Sequence, residues 1–167
     1  DYATQSAHKT LSALSQAAYI HVNDPTFNEH IFRENFNMHT STSPMYSMIA
    51  SLDVSRKQAV LEGYKLLQRT LMLADELREQ INSTGVFRVL ELDDLLPEEV
   101  REDGIRLDTT KVTVDISSCG MTVDDLQNEL FTRFNITVEK STFNTLTLLL
   151  TIGTTRSKCS RLYDALM

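Results

Sequence analysis

The stretch at residues 6–22 reads Ser-Ala-His-Lys-Thr-Leu-Ser-Ala-Leu-Ser-Gln-Ala-Ala-Tyr-Ile-His-Val. Its last six residues, 17–22, form a short β-favouring run that Asn-Asp-Pro follows at once, and this pattern predicts a strand. Residues 1–9 show no clear period and are rich in small polar groups, so we predict a loop there. That loop carries Lys9, which follows an imidazole directly and a hydroxyl by three positions.

Lys9 has two interpretations at this point. A lysine in a polar loop is most often a solvated charge, and periodicity alone favours that interpretation. A lysine that reacts with a carbonyl group must instead be deprotonated near neutral pH, so its pKa must fall from about 10.4 through burial or a nearby positive charge. The company of Ser6 and His8, with few other cations nearby, keeps the catalytic interpretation open.

Two helices are predicted after this stretch. Aromatic and aliphatic residues recur at helical spacing over residues 27–36, and a longer helical pattern runs from Pro44 to about residue 82. Ser43 before Pro44 is a helix-start signal, because the hydroxyl can cap and proline loses no useful N–H at the first helical position. We expect a break near residues 51–53, where Asp53 could cap a second segment.

Four consecutive hydroxyl residues, 40–43, stand directly before that predicted helix. A helix N-terminus presents free N–H groups and a partial positive charge, which suits a phosphate group. The alternative is that the hydroxyls only cap the helix. The sequence leaves the two interpretations open.

The C-terminal part alternates predicted strands and helices. Strands are predicted at residues 86–92, 111–116, 136–139 and 146–152. One helix is predicted to start at Thr122 and end near residue 134, and a last one to start after Thr154 or Thr155. This order, ββαββα, predicts an α+β lobe with a mainly antiparallel sheet and helices on one face.

Composition excludes several classes of protein. The chain has 167 residues, 41% of them apolar, and a formal charge of −7, so a nucleic-acid binder with a basic face is disfavoured. No apolar stretch is long enough to cross a membrane. Cys119 and Cys159 form neither a disulfide framework nor a zinc pattern, and they fit a reducing cytoplasm. Eight acidic residues between positions 91 and 108 indicate a solvated acidic connection.

Several motifs together resemble one enzyme family. Ser-x-His-Lys at 6–9, followed by Leu-Ser-Gln-Ala-x-Tyr-Ile-His-Val at 14–22, is similar to the pyridoxal-phosphate lysine motif of the bacterial ornithine/lysine/arginine decarboxylases. The likeness covers nearly all of the chain and is weakest over residues 91–108. Ala7 stands where the family usually has Thr. The further matching motifs are Met-His-Thr-Ser-Thr-Ser-Pro at 38–44, Ile-Ala-Ser at 49–51, Val-Glu-Lys at 138–140 and Leu-Leu-Thr-Ile-Gly at 149–153.

This resemblance implies the C-terminal portion of an enzyme with an aspartate-aminotransferase-like fold, combining α/β and α+β parts. Residues 1–52 would be the end of the large pyridoxal-phosphate-binding domain and carry the Schiff-base lysine. Residues 53–84 would be a connecting helix, and residues 85–167 a small α+β lobe. The groups that contact the pyridine ring would precede Asp1, so we expect the 167 residues alone to be inactive.

The resemblance also implies roles for individual residues. Lys9 would form the Schiff base with pyridoxal phosphate, and Ser6 would hydrogen-bond the phosphate. His8 would lie beside the cofactor, near either the phosphate or the substrate. Ser41 and Thr42 are candidates for a phosphate contact across a subunit boundary, which predicts a homodimer or a higher homo-oligomer.

The implied activity is decarboxylation of arginine, lysine or ornithine to the corresponding amine and carbon dioxide, as in polyamine metabolism. The choice among the three substrates stays open. A non-catalytic interaction or regulatory module that keeps the architecture is the alternative. An aminotransferase of the same fold is less favoured, because a histidine directly before the lysine is more typical of the decarboxylases.

Overall fold

The computed structural model describes residues 1–101 and 104–167, and its contacts group the chain into two compact units, residues 1–64 and 65–167. The long second helix begins in the first unit and ends in the second. Glu102 and Asp103, which belong to the predicted acidic connection, lie outside the described residues.

The first unit opens with an antiparallel ribbon of two strands. Strand β1 spans Tyr2–Ser6 and strand β2 spans Ala18–Val22, with a register that pairs Tyr2 with Val22 and Ser6 with Ala18. The prediction of β2 is confirmed, and the prediction of a loop over residues 1–9 is wrong. All five residues of β1 are exposed, so the strand carries no apolar alternation and exists through its backbone pairing with β2.

Helix α1 follows at Glu29–His39, where the phenylalanine spacing predicts it. The side chain of Asn28 caps it by accepting from the N–H of Ile31 at 3.1 Å. Phe32 lies between Phe27 and Phe36, with ring centroids 5.3 and 6.0 Å away. This aromatic row orders the helix although none of its residues is buried.

Helix α2, Tyr46–Ser83, is a single uninterrupted element of 38 residues. The predicted break is wrong: Asp53 accepts from the side chain of Arg56 one turn later and caps nothing. The first helical N–H groups, of Met48 and Ile49, donate to the carbonyl of Met45, so Ser43 is not the N-cap.

The second unit combines the end of α2 with a four-stranded antiparallel sheet of strand order β3-β4-β6-β5. The predicted order of strands and helices is confirmed. The strand predicted at residues 136–139 is wrong, because these residues form no strand and the strand lies at Lys140–Ser141; the other strand bounds differ, and two short helices were not predicted. In chain order its elements are β3 (Arg88–Val89), α3 (Leu92–Leu95), α4 (Glu98–Arg101), β4 (Lys111–Asp115), α5 (Val123–Phe134), β5 (Lys140–Ser141), β6 (Thr145–Leu149) and α6 (Arg156–Leu166).

The acidic stretch is more ordered than the predicted solvated connection. It contains α3 and α4, and Glu91 forms an ion pair at 2.5 Å with Arg78, a buried side chain of α2. Asp94 receives the N–H of Glu91 at 2.9 Å and pairs with Arg88 at 2.8 Å. These contacts hold the start of the stretch against the sheet.

Both predicted caps of the C-terminal helices are confirmed. Thr122 accepts from the N–H of Asp125 at the start of α5, and Thr155 accepts from the N–H of Lys158 at the start of α6. One face of the sheet packs on α2, α5 and α6. The buried cluster comprises Leu73, Ala74, Leu77, Ile81, Phe87, Val89, Val112, Val114, Ile116, Leu126, Leu130, Leu146, Leu148, Leu150, Cys159 and Leu162.

Asp115 at the end of β4 makes the stability of the protein depend on pH. The backbone N–H of Ser117 at 2.9 Å, and then its side chain, hold the pKa of the Asp115 carboxyl below its ordinary value, and the charge of Arg88 adds to this. A lowered pKa in the folded state contributes stability above about pH 3.9 that is lost as the pH falls through the folded pKa. At acid pH, we expect the unfolding midpoint of Asp115→Asn to fall less steeply with decreasing pH than that of the parent protein. Asp164→Asn, at an exposed position, should show the parental pH dependence of the midpoint. Equal pH dependence in the two variants would contradict the role given to Asp115.

Candidate active site

Lys9 lies in a tight turn at the end of β1. The turn follows Ser6 directly, and its base is closed by the backbone N–H of Ala7, which donates to the carbonyl of Ala17 at 2.9 Å. The side chains of Ala7 and Ala17 are 0% and 1% exposed, whereas Lys9 is exposed. The small residues therefore pack inside the loop and leave the lysine on its outside.

His8 is half-buried and has a defined orientation. Its Nδ1 lies 3.0 Å from the carbonyl oxygen of Ala17, the same oxygen that receives the N–H of Ala7. A carbonyl oxygen only accepts, so Nδ1 carries the hydrogen. In the neutral ring Nε2 is then the acceptor. His8 directly precedes Lys9 in the chain.

Three side-chain hydrogen bonds fasten the loop and β2 to the first turns of α2. Ser51 Oγ accepts the N–H of Leu14 at 3.2 Å. The hydroxyl of Tyr19 donates to the carbonyl of Leu52 at 2.6 Å, and Ser12 Oγ donates to Gln58 Oε1 at 2.6 Å. No pattern in the sequence predicts a role for these residues, because the hydrogen-bonded partners are 33 to 46 positions apart and no local period links them.

The remaining predicted site residues lie on a different connection. Ser41 and Thr42 are exposed between α1 and α2, and Ser41 Oγ accepts the N–H of Ser43 at 3.1 Å. Ser6 ends β1, and His8 and Lys9 lie on the turn that follows it, whereas Ser41 and Thr42 lie on the connection between α1 and α2. Since α2 begins at Tyr46, the hydroxyls stand ahead of its N-terminus and do not cap it.

The described residues contain no cluster of three or more histidine, cysteine or acidic side chains that could hold a metal ion. In the same ranges, no helix has both the length and the apolar character that crossing a membrane requires. The Lys9 turn and the adjoining end of β1 carry an amine, an imidazole and a hydroxyl.

A comparison with protein families gives a match to "Orn/Lys/Arg decarboxylase, major domain" over residues 2–158. The chain belongs to this family. The arginine decarboxylase of Bacillus subtilis is 30% identical over 167 residues, covering 99% of this chain and 33% of that protein. The constitutive lysine decarboxylase of Escherichia coli is 40% identical over 83 residues, covering 48% of this chain and 11% of that protein.

Solved structures of the Orn/Lys/Arg decarboxylase family have the same fold. The lysine decarboxylase of Francisella novicida matches with a TM-score of 0.80 and 29% identity, over 99% of this chain and 27% of that one. The constitutive lysine decarboxylase of Escherichia coli matches with a TM-score of 0.77 and 27% identity, over the same shares. The predicted membership and the predicted α+β part of the decarboxylase fold are confirmed. The chain spans about a third of the length of the curated arginine decarboxylases that it matches.

Proposed function

We propose that the intact protein decarboxylates a basic amino acid, arginine, lysine or ornithine, to the corresponding amine and carbon dioxide, with pyridoxal phosphate held by Lys9. The observation that carries this proposal is the Lys9 turn, where the exposed Lys9 directly follows the oriented imidazole of His8, and where Ser6 ends the preceding strand. Relatives named arginine decarboxylase and lysine decarboxylase support the substrate class.

The side chains of the turn fit the proposed coenzyme. An aldehyde needs an amine that is accessible, and Lys9 is exposed while its neighbours Ala7 and His8 are packed inward. A phosphate needs hydrogen-bond donors, and the hydroxyl of Ser6 stands exposed at the end of β1. When bound, pyridoxal phosphate supplies an electron sink for the pair of electrons that the departing carboxylate leaves behind.

Lys9, Ser6 and His8 then each have a proposed role. Lys9 in its neutral form binds the aldehyde and can carry a proton to and from the reacting carbon. Ser6 donates to the phosphate. His8 keeps its Nδ1 hydrogen on the Ala17 carbonyl, so only Nε2 can face the phosphate or the substrate, as an acceptor when neutral and as a donor when protonated.

Ser41 and Thr42 remain candidates for a phosphate contact in a neighbouring subunit. Both hydroxyl side chains are exposed, which such a contact requires. The proposed assembly is accordingly a homodimer or a higher homo-oligomer. The proposed compartment is the cytoplasm, because Cys119 and Cys159 are both free thiols.

The direct test is reduction of the intact protein with borohydride after loading with pyridoxal phosphate, followed by mass spectrometry of its peptides. We expect the added mass on the peptide that contains Lys9, and carbon dioxide release from one of the three basic amino acids before reduction. Label on another lysine, or none at all, would show that the proposed function is wrong.

A further inference from the structure

The loop that carries Lys9 is held by helix α2 through two hydroxyl groups. We propose that Ser51 and Tyr19 are positioning residues, which fix the place of Lys9 by fastening its loop to α2. This inference rests on the proposed function of Lys9. Neither residue needs to touch the coenzyme or the substrate for this role.

Ser51 connects the loop to the backbone of the helix. Its Oγ accepts the N–H of Leu14 at 3.2 Å and donates to the carbonyl of Met48 at 2.7 Å. The hydroxyl therefore uses both its hydrogen and a lone pair, and its direction is fixed by the helix. Replacing it with a methyl group removes the partner of the Leu14 N–H.

Tyr19 fixes the chain where it leaves the loop. It lies at the start of β2, and its hydroxyl donates to the carbonyl of Leu52, the residue after Ser51, at 2.6 Å. Both fasteners therefore reach the same turn of α2 from two points five residues apart in the loop and strand. The bond of Ser12 to Gln58 is exposed to water, as is that of Leu14 to Ser51, whereas the bond of Tyr19 to Leu52 is partly buried.

A displacement at the hydrogen bonds made by Ser51 and Tyr19 is transmitted to Lys9 through the carbonyl group of Ala17. Ala17 lies between Leu14 and Tyr19, and its carbonyl oxygen receives both the N–H of Ala7 and the Nδ1 of His8. These two acceptor bonds hold the residues that precede Lys9. The side chains of Ala7 and Ala17 are buried at the base of the loop, where close packing leaves no room for independent movement. A displacement of residues 14–19 therefore also displaces Lys9.

The size of the effect follows from the sensitivity of catalysis to geometry. Misplacing a reacting group by about 1 Å can lower a rate by about 10²-fold. We expect Ser51→Ala and Tyr19→Phe in the intact protein each to lower kcat by about tenfold or more. KM should change by less than about threefold, because neither Ser51 nor Tyr19 is proposed to contact the substrate.

Three further measurements separate positioning from general loss of structure. Hydrogen exchange of the Leu14 amide should become faster in Ser51→Ala. The pH profile of the absorbance of the lysine-bound coenzyme should shift in both variants. Ser51→Thr keeps the hydroxyl and should restore kcat toward the parental value. The matched controls, Ser160→Ala and Tyr163→Phe on α6, remove the same hydroxyl groups from the other unit and should leave kcat and the profile unchanged.

The outcomes divide clearly between the two proposals. If borohydride labels Lys9 in the parent protein, but Ser51→Ala and Tyr19→Phe match the controls in kcat, pH profile and Leu14 exchange, the positioning role alone is overturned. If the parent protein carries no coenzyme on Lys9, both proposals are wrong. A variant that does not fold leaves the test to the other variant and to Ser51→Thr, which must then retain the parental pH profile.

Discussion

The Lys9→Ala variant of the intact protein is expected to lose amino-acid decarboxylation almost completely. The variant lacks the amine that we propose binds the aldehyde, which is also the group proposed to carry a proton at the reacting carbon. Loss of a positioned acid–base group alone lowers a rate by about 10²–10⁴-fold, so we expect kcat to fall by at least that factor. The measurement is carbon dioxide release from arginine, lysine and ornithine under saturating substrate.

The control for this loss is Lys57→Ala, which removes an exposed lysine of α2 from the same unit. It should keep the parental rate. Added methylamine should return part of the activity to Lys9→Ala, because a small amine can occupy the space of the missing side chain. Parental turnover by Lys9→Ala with coenzyme bound would falsify the assignment of this lysine.

The second large effect is on stability, and it concerns the contact of α2 with the sheet of the second unit. Leu77 on α2 is 1% exposed and belongs to the buried cluster. Truncating a buried leucine to alanine costs about 2–5 kcal/mol, from lost burial and from the cavity that remains. Leu77→Ala should therefore lower the unfolding midpoint of the intact protein strongly, as measured by urea denaturation.

Leu71→Ala is the matched control, since Leu71 lies on the same helix and is 45% exposed. Its expected change is within about 0.5 kcal/mol. Equal losses for the two variants would mean that the buried face of α2 has been assigned wrongly. A small loss for Leu77→Ala alone would show that the lobe repacks around the cavity.

The elements that could be predicted from the sequence are those whose signals are local. The apolar period of α2, the threonine caps of α5 and α6 and the alternation in β4 depend on residues within one or two turns of each other, so each could be predicted with its type. The Ser-x-His-Lys motif together with the run at residues 14–22 likewise predicted the family, because its members lie close together in the chain. The role of Lys9 stays a prediction.

The features that could not be predicted depend on residues that are far apart in the sequence and meet in the tertiary structure. Strand β1 has no apolar period of its own and forms because β2 pairs with it. The fastening of the Lys9 loop joins Leu14 to Ser51 and Tyr19 to Leu52 across more than thirty residues. Hydrogen bonds of this kind form when the chain folds back on itself, so no periodic pattern in the sequence predicts them.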